Sequence, residues 1–299
     1  MATLNLDVGS FSCVGGCEHC QFGRNISLDL VTFMPEIILL TERLLSYSRD
    51  CGDEIRIAFL NSLLTLPGDI SFVEKADTLS VSLSSLDELR YQRREILERI
   101  AGFAGHKLEF HFNHFVLTPD LVSNFLPPAI FLIHGACEVL PDLKEVTIGF
   151  NHNTVKNQTR NLLAESVVIG NCFRVYTEAY LGIQEWCGAT KLIQITSGPV
   201  MKLSVVVPDG QRRYSLEMRY VLAPDSASVY KLSPISFENK DVNLLITDRG
   251  VHMAHFTHSI NQNELWFTYD EFGGLLDQAI IDSVPLNVVC RKTLEARRK

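Results

Sequence analysis

The chain has 299 residues, 46% of them hydrophobic and 21% charged, with a net charge of -8. That composition is globular and long enough for one large domain or two smaller ones. The negative balance excludes the global basic field that binds nucleic acid or an anionic membrane surface.

The elements follow in chain order. Leu4-Asn5-Leu6-Asp7-Val8 alternates as a strand and leads through Gly9 and Ser10 into a cysteine-bearing loop. From Leu28 to Tyr47, apolar residues recur at helical spacing. Ile55–Phe59 is the next strand, ended by Pro67-Gly68, and Thr78–Leu83 another. A charged helix runs from Leu86 to Phe103 with Leu89, Ile96, Leu97 and Ile100 on its buried face. Lys107–Leu117 reads as a strand, Pro119–Phe125 as a short helix, and Ala129–Gly135 and Val146–Phe150 as strands. Strands alternating with helices predict βα units around a parallel sheet, open or closed into part of a barrel. Beyond Val167 the segments 173–181, 191–196, 201–207, 213–221, 243–248 and 264–269 are strand-like, with helical periodicity confined to 270–284. The expected division is therefore an α/β part over 1–165 and a smaller, mostly antiparallel α+β part over 166–299.

The N-terminus, MATLNLDVGSFSC, has no charged run followed by an apolar segment, and no stretch has the unbroken apolar length that crosses a bilayer. A cytoplasmic location without membrane contact is the expectation. The basic end, Arg291, Lys292, Arg297, Arg298 and Lys299, reads as a solvated helix end or frayed tail.

Of eight cysteines, three crowd into Cys13-Val14-Gly15-Gly16-Cys17-Glu18-His19-Cys20, a C-x3-C-x2-C loop directly after a strand. Close-set thiols in a reducing compartment are more often metal ligands or redox groups than a disulfide framework. Three thiolates hold three irons of a cubane cluster and leave the fourth open to a chelating cofactor. Gly15 and Gly16 let the backbone fold tightly around a bulky inorganic core. A zinc knuckle, with His19 as fourth ligand, is the other reading of the same residues.

The loop resembles the signature of the radical SAM (S-adenosylmethionine) family. The resemblance implies a partial (β/α) barrel in which Cys13, Cys17 and Cys20 ligate a [4Fe–4S] cluster. It also implies that S-adenosylmethionine binds the open iron and is cleaved to a 5′-deoxyadenosyl radical with an electron from an external donor. The family has an aromatic residue before its last cysteine, where this chain has His19, and a Gly-Gly-Glu-Pro-like segment after its second strand, where this chain has Leu60-Asn61-Ser62-Leu63. Asn61 and Ser62 keep hydrogen-bonding capacity at that place without the carboxylate. Ser82, in Leu79–Ser84, and Arg94, on the charged helix, match the family's ribose and carboxylate contacts. The resemblance covers residues 3–150.

Cys172 and Cys187 enclose Gly182 in C-x9-G-x4-C, which predicts a hairpin with both thiols near its open end. It resembles the opening of the SPASM or twitch extensions that hold auxiliary clusters and accompany peptide modification, although only Cys290 lies downstream; two buried thiols are the plainer reading. The sets His106, His111, His114 and His252, His255, His258 lack an i,i+4 pair with a carboxylate and read as polar surface or satisfied core histidines. No Gly-x-Gly-x-x-Gly, P-loop or Gly-x-Ser-x-Gly element is present. The sequence thus predicts a radical SAM type enzyme acting on an unidentified substrate, with a peptide the analogy from twitch extensions. Its alternatives are a degenerate barrel serving as a binding scaffold and a structural zinc protein.

Overall fold

The computed structural model describes residues 2–9, 30–83, 85–112, 117–155, 162–181, 191–197, 200–208, 212–222, 242–253 and 266–297. The alternating segments pair into one eleven-stranded mixed sheet, most of it parallel. Its strands are β1 (Thr3–Gly9), β2 (Glu54–Ser62), β3 (Thr78–Leu83), β4 (Lys107–Phe112), β5 (Glu145–Val155), β6 (Lys191–Ser197), β7 (Val200–Pro208), β8 (Arg213–Leu222), β9 (Val242–Thr247), β10 (Gly250–Met253) and β11 (Trp266–Phe267). The spatial order is β11-β10-β9-β1-β2-β3-β4-β5-β8-β7-β6. From β9 across to β8 every pairing is parallel, whereas the pairs β9-β10, β10-β11, β8-β7 and β7-β6 are antiparallel. The sheet is open, with β11 and β6 at its edges.

The parallel strands are joined through helices because a parallel pair needs a long crossover. These are α1 (Leu30–Asp50) between β1 and β2, α2 (Leu86–Tyr91) and α3 (Arg93–Ile100) between β3 and β4, and α4 (Val122–Val139) between β4 and β5. Then α5 (Leu162–Leu181) follows β5, and α6 (Tyr269–Asp282) and α7 (Leu286–Arg297) close the chain. Leu4, Leu6 and Val8 of β1, Ile55, Ile57 and Phe59 of β2, and Leu108, Phe110 and Phe112 of β4 pack with Ile37 and Leu44 of α1 and Ile130 and Ile133 of α4 in one core. Period two then sends Asn5, Asp7, Arg56, Ser80, Glu109 and His111 to the opposite face. That face is polar yet largely buried: Ser80, His111, Thr147 and Ser215 are all below 8% exposed.

Several expectations are corrected. The segment read as a short helix, Pro119–Phe125, and a strand, Ala129–Gly135, is the single helix α4, which runs through Pro127 and Pro128. Two prolines cost a helix interior several kcal/mol, but Phe125, Leu126, Ala129, Ile130, Ile133 and Ala136 are all buried at helical spacing and hold it. By length and composition α4 is the one described helix apolar enough to span a membrane, and half of it is buried inside the fold. The strand read over 173–181 is the second half of α5, whose buried face is Ile169, Phe173 and Thr177. The charged helix read from Leu86 to Phe103 breaks at Gln92 into α2 and α3.

Helicity also continues past 284 into α7, so Arg297 is docked rather than frayed. Its guanidinium lies 4.6 Å from the Phe267 ring centroid, donates to the Trp266 carbonyl at 2.8 Å and pairs with Glu271 at 3.0 Å. Strands from beyond residue 166 join the same sheet as those before it: β8 lies beside β5, and β9 beside β1.

Candidate functional site

Because the strands from β9 to β8 run parallel, their carboxyl ends share one edge of the sheet. Ligands of open α/β sheets bind outside that edge, where the backbone leaves the ladder. Gly9 ends β1 there and opens the cysteine loop; Cys13, Cys17, Cys20 and His19 lie outside the described residues. A side chain at Gly9 would place its Cβ 2.5 Å from Oδ1 of Asn61, and φ at Gly9 is +155°, so glycine lets β1 turn away against the Asn61 amide.

Asn61, Ser62 and Ser82 are brought together at this edge. The β2–β3 register shifts between Ala58 and Ser62, so Ser62 opposes Ser82 while Phe59, Leu60 and Asn61 bulge. The Ser82 hydroxyl donates to the Phe59 carbonyl at 2.6 Å, within the bulge. Ser62 Oγ accepts from the Leu64 amide at 3.3 Å, which leaves its own proton to give. Arg94 stands apart from them. Its side chain is 88% exposed on α3, pairs with Glu98 at 2.7 Å, and lines a groove with Phe131 and His134 of α4 on the helical layer. Cys172 stands on α5, so the expected Cys172–Cys187 hairpin does not form as read; Gly182 and Cys187 lie outside the described residues.

Behind the edge, the register lays the polar face in rows. The row nearest the carboxyl end holds Thr247, Gly9, Ser82, His111, Gly149 and Glu217. The next holds His252, Leu245, Asp7, Ala58, Ser80, Glu109, Thr147 and Ser215. Glu109 is the hub of the charges. It accepts from Arg56 at 2.9 Å, lies 3.2 Å from His111 Nε2 and pairs with Lys107 at 3.2 Å; Arg56 also reaches Asp7 at 3.8 Å.

Burial would raise the Glu109 carboxyl, but the His111 hydrogen bond and the fields of Arg56 and Lys107 outweigh it and hold it well below the usual range. Asp7 has no such surplus of cations. Burial pushes it up to about 7, Arg56 only partly opposing and Glu109 adding to the rise. Two carboxyls on either side of the same arginine, Asp7 one strand away and Glu109 two strands away, thus differ in how readily they ionise, the condition for separate acid and base roles.

Sequence reasoning passed over Asp7, Arg56 and Glu109, although each is a charge at an alternate position of an apolar strand, which is the available signal. It read His252 as surface or satisfied core. His252 is instead fully buried, and neither ring nitrogen has a hydrogen-bond partner among the described residues. His114, His255 and His258 lie outside the described residues.

Gly149 has a packing role that period two makes plain. It opposes His111, and a Cβ there would meet His111 Nδ1 at 2.3 Å. Gly149→Ala is expected to cost about 1–3 kcal/mol by forcing the ring off Glu109. Urea unfolding of the single variants and of Gly149→Ala/His111→Ala checks it: the double variant should recover most of the loss, and strict additivity would refute the contact.

No protein-family model matches the chain, and no curated protein matches it.

Proposed function

We propose that the chain is an iron–sulfur enzyme of radical SAM type, with Cys13, Cys17 and Cys20 holding a [4Fe–4S] cluster and the polar face of the sheet receiving substrate. The observation that supports it most is positional. β1, the strand that precedes the C-x3-C-x2-C segment in the sequence, ends at the carboxyl edge with Gly9 beside Asn61, and Ser62 and Ser82 oppose each other at the same edge. The parallel run β9-β1-β2-β3-β4-β5-β8, helix-covered on one face and polar on the other, supports the reading, with the six strands from β1 to β8 taken as the (β/α) part and β9 added beside β1.

The donor set fits the group, since three thiolates suit a cubane with one open iron. When bound with S-adenosylmethionine, the cluster supplies the electron that cleaves the sulfonium to a 5′-deoxyadenosyl radical. The chain's own residues orient and shield. Ser62 offers a hydroxyl proton to the cofactor, Ser82 acts as acceptor because its proton is engaged on Phe59, and Asn61 stands beside them against Gly9. Beneath them, Glu109 and Arg56 keep fixed charges on the substrate face.

Protein purified without oxygen should contain about four irons and four sulfides per chain and cleave S-adenosylmethionine after reduction, with a Cys17→Ala chain as the blank. About one zinc per chain and no iron would overturn the proposal in favour of a structural zinc site. Iron without cleavage would overturn the enzyme and leave a scaffold.

A further inference from the structure

On the helical layer, away from the polar face, α2 and α3 run beside α4 and leave a groove of about 570 Å³ between them. That is room enough for a ligand group, since clefts that hold one run from about 300 to 1,000 Å³. The helices approach closely where a Cβ added to Gly135 of α4 would lie 2.5 Å from Cδ1 of Leu97 on α3. Two exposed rings also line the groove, Tyr91 at 75% and Phe131 at 43%. Phe131 is steadied by Tyr180 of α5, their ring centroids 5.0 Å apart.

The charge of the groove is positive and uncompensated. Arg90 stands in the last turn of α2 and Arg93 opens α3, both exposed. Neither has a hydrogen bond or ion pair among the described residues; the Arg93 guanidinium lies 5.6 Å from the Phe131 ring centroid, and an arginine laid on a ring keeps its edge donors for another group. The carboxylates that line the groove are engaged, Glu98 at 2.7 Å from Arg94 and Glu138 at 3.5 Å from His134. Arg93 and Arg94 stand in the first turn of α3, where the helix dipole is already positive and Gln92 supplies no side-chain cap. Glu95, the acid of that turn, does not line the groove. A long polyanion reaching past the groove would meet a chain of net charge -8, whereas a short acidic segment would not. A second copy docked face to face would set these arginines against their own kind.

We infer that this groove docks an acidic segment of a partner protein in which carboxylates flank one apolar side chain. The apolar side chain covers Tyr91 and Phe131, and the carboxylates meet Arg90 and Arg93 as charge-assisted pairs. The groove lies across the sheet from the polar face, so the inference stands apart from the iron–sulfur reading.

Dye-labelled peptides test it on the full chain by fluorescence anisotropy. Glu-Asp-Phe-Glu-Asp should bind saturably, and at least about tenfold tighter than Gln-Asn-Phe-Gln-Asn, which keeps the shape without the charge. Glu-Asp-Ser-Glu-Asp, without the ring, should bind about 3–10-fold more weakly. Raising salt from about 0.05 to 0.5 M should weaken the acidic peptide about 3–10-fold. Arg90→Gln/Arg93→Gln and Tyr91→Ser should each lose about 3–10-fold in affinity with little change in urea midpoint, because all three side chains are exposed. Lys292→Gln, at the other basic run, should bind as wild type does. No saturable binding of Glu-Asp-Phe-Glu-Asp at about 1 mM, equal binding of its amide counterpart, or an equal loss in Lys292→Gln would each overturn the site. A concentration-dependent dimer that Tyr91→Ser abolishes would overturn it in favour of a contact between copies of this chain. These titrations are independent of cluster loading, so their failure leaves the enzyme proposal standing, and the reverse holds.

Discussion

Replacing Glu109 by alanine is expected to destabilise the protein by about 3–5 kcal/mol, because it strands cations that its carboxylate gathers on a largely buried face. Arg56 Nη2 lies 2.9 Å and Lys107 Nζ 3.2 Å from Glu109, whose side chain is 13% exposed. Asp7 and Glu145, at 3.8 and 3.7 Å from those cations, are too distant to replace it fully. Glu109→Gln retains the shape and part of the hydrogen bonding, so roughly half that loss is expected. Urea midpoints at unchanged m-value measure both. The network also couples the two carboxyls, since Glu109 contributes to the rise of Asp7 and competes for Arg56. In Glu109→Gln the Asp7 carboxyl should therefore titrate lower than in wild type, followed by its side-chain carbon signal. A loss under about 1 kcal/mol with an unmoved Asp7 would mean the charges are solvated and the hub is not one.

The parts of the fold that were legible are those where local pattern and tertiary demand agree. Leu4-Asn5-Leu6-Asp7-Val8 reads as a strand because its apolar residues face the helices and its polar ones the other face, and the structure makes it β1. The α1 helix and the strands β2, β3 and β8 follow for the same reason. Where the two demands conflict, the local reading fails. Pro127-Pro128 signals a stop, but the α4 stripe from Phe125 to Ala136 buries enough surface to carry the helix through. Val175, Tyr176 and Thr177 favour extended chain by propensity, yet Ile169, Phe173 and Thr177 at four-residue spacing fix a helix against the core.

The candidate site divides in the same way. The thiol spacing and the serines near strand ends are local and were visible. That Arg56 on β2 meets Glu109 on β4 depends on strand order, which no local pattern carries. Arg94 shows the converse: a charged helix offers several arginines, and period alone cannot tell the one facing the site from one in solvent.

Asp7 and His252 predict opposite pH dependences that nearly mask one another in wild type. Asp7 is pushed up to about 7 in the folded protein, whereas the unfolded carboxyl titrates near its ordinary value of 3.8. Between about pH 4 and 7 the native state therefore holds a proton that the unfolded chain has released, so stability from this group falls as pH rises, by at most about 4 kcal/mol, and levels off above 7. His252 is held down at about 4 against an ordinary 6.5, so over that interval the unfolded chain binds the proton and stability rises with pH. The two slopes oppose each other from about pH 4 to 6.5, and wild type should be nearly flat there as far as these groups act.

Asp7→Asn removes the falling component. Its stability relative to wild type should increase steadily with pH and reach a plateau above 7, while any difference between the uncharged acid and the amide appears as a constant offset. His252→Gln should do the reverse, gaining on wild type as pH falls from 6.5 toward 4. Urea unfolding of the three proteins at half-unit steps from pH 4.5 to 8 separates the contributions. If the Asp7→Asn difference is the same at every pH, the carboxyl is ionised throughout and the uneven sharing of charge between Asp7 and Glu109 is wrong.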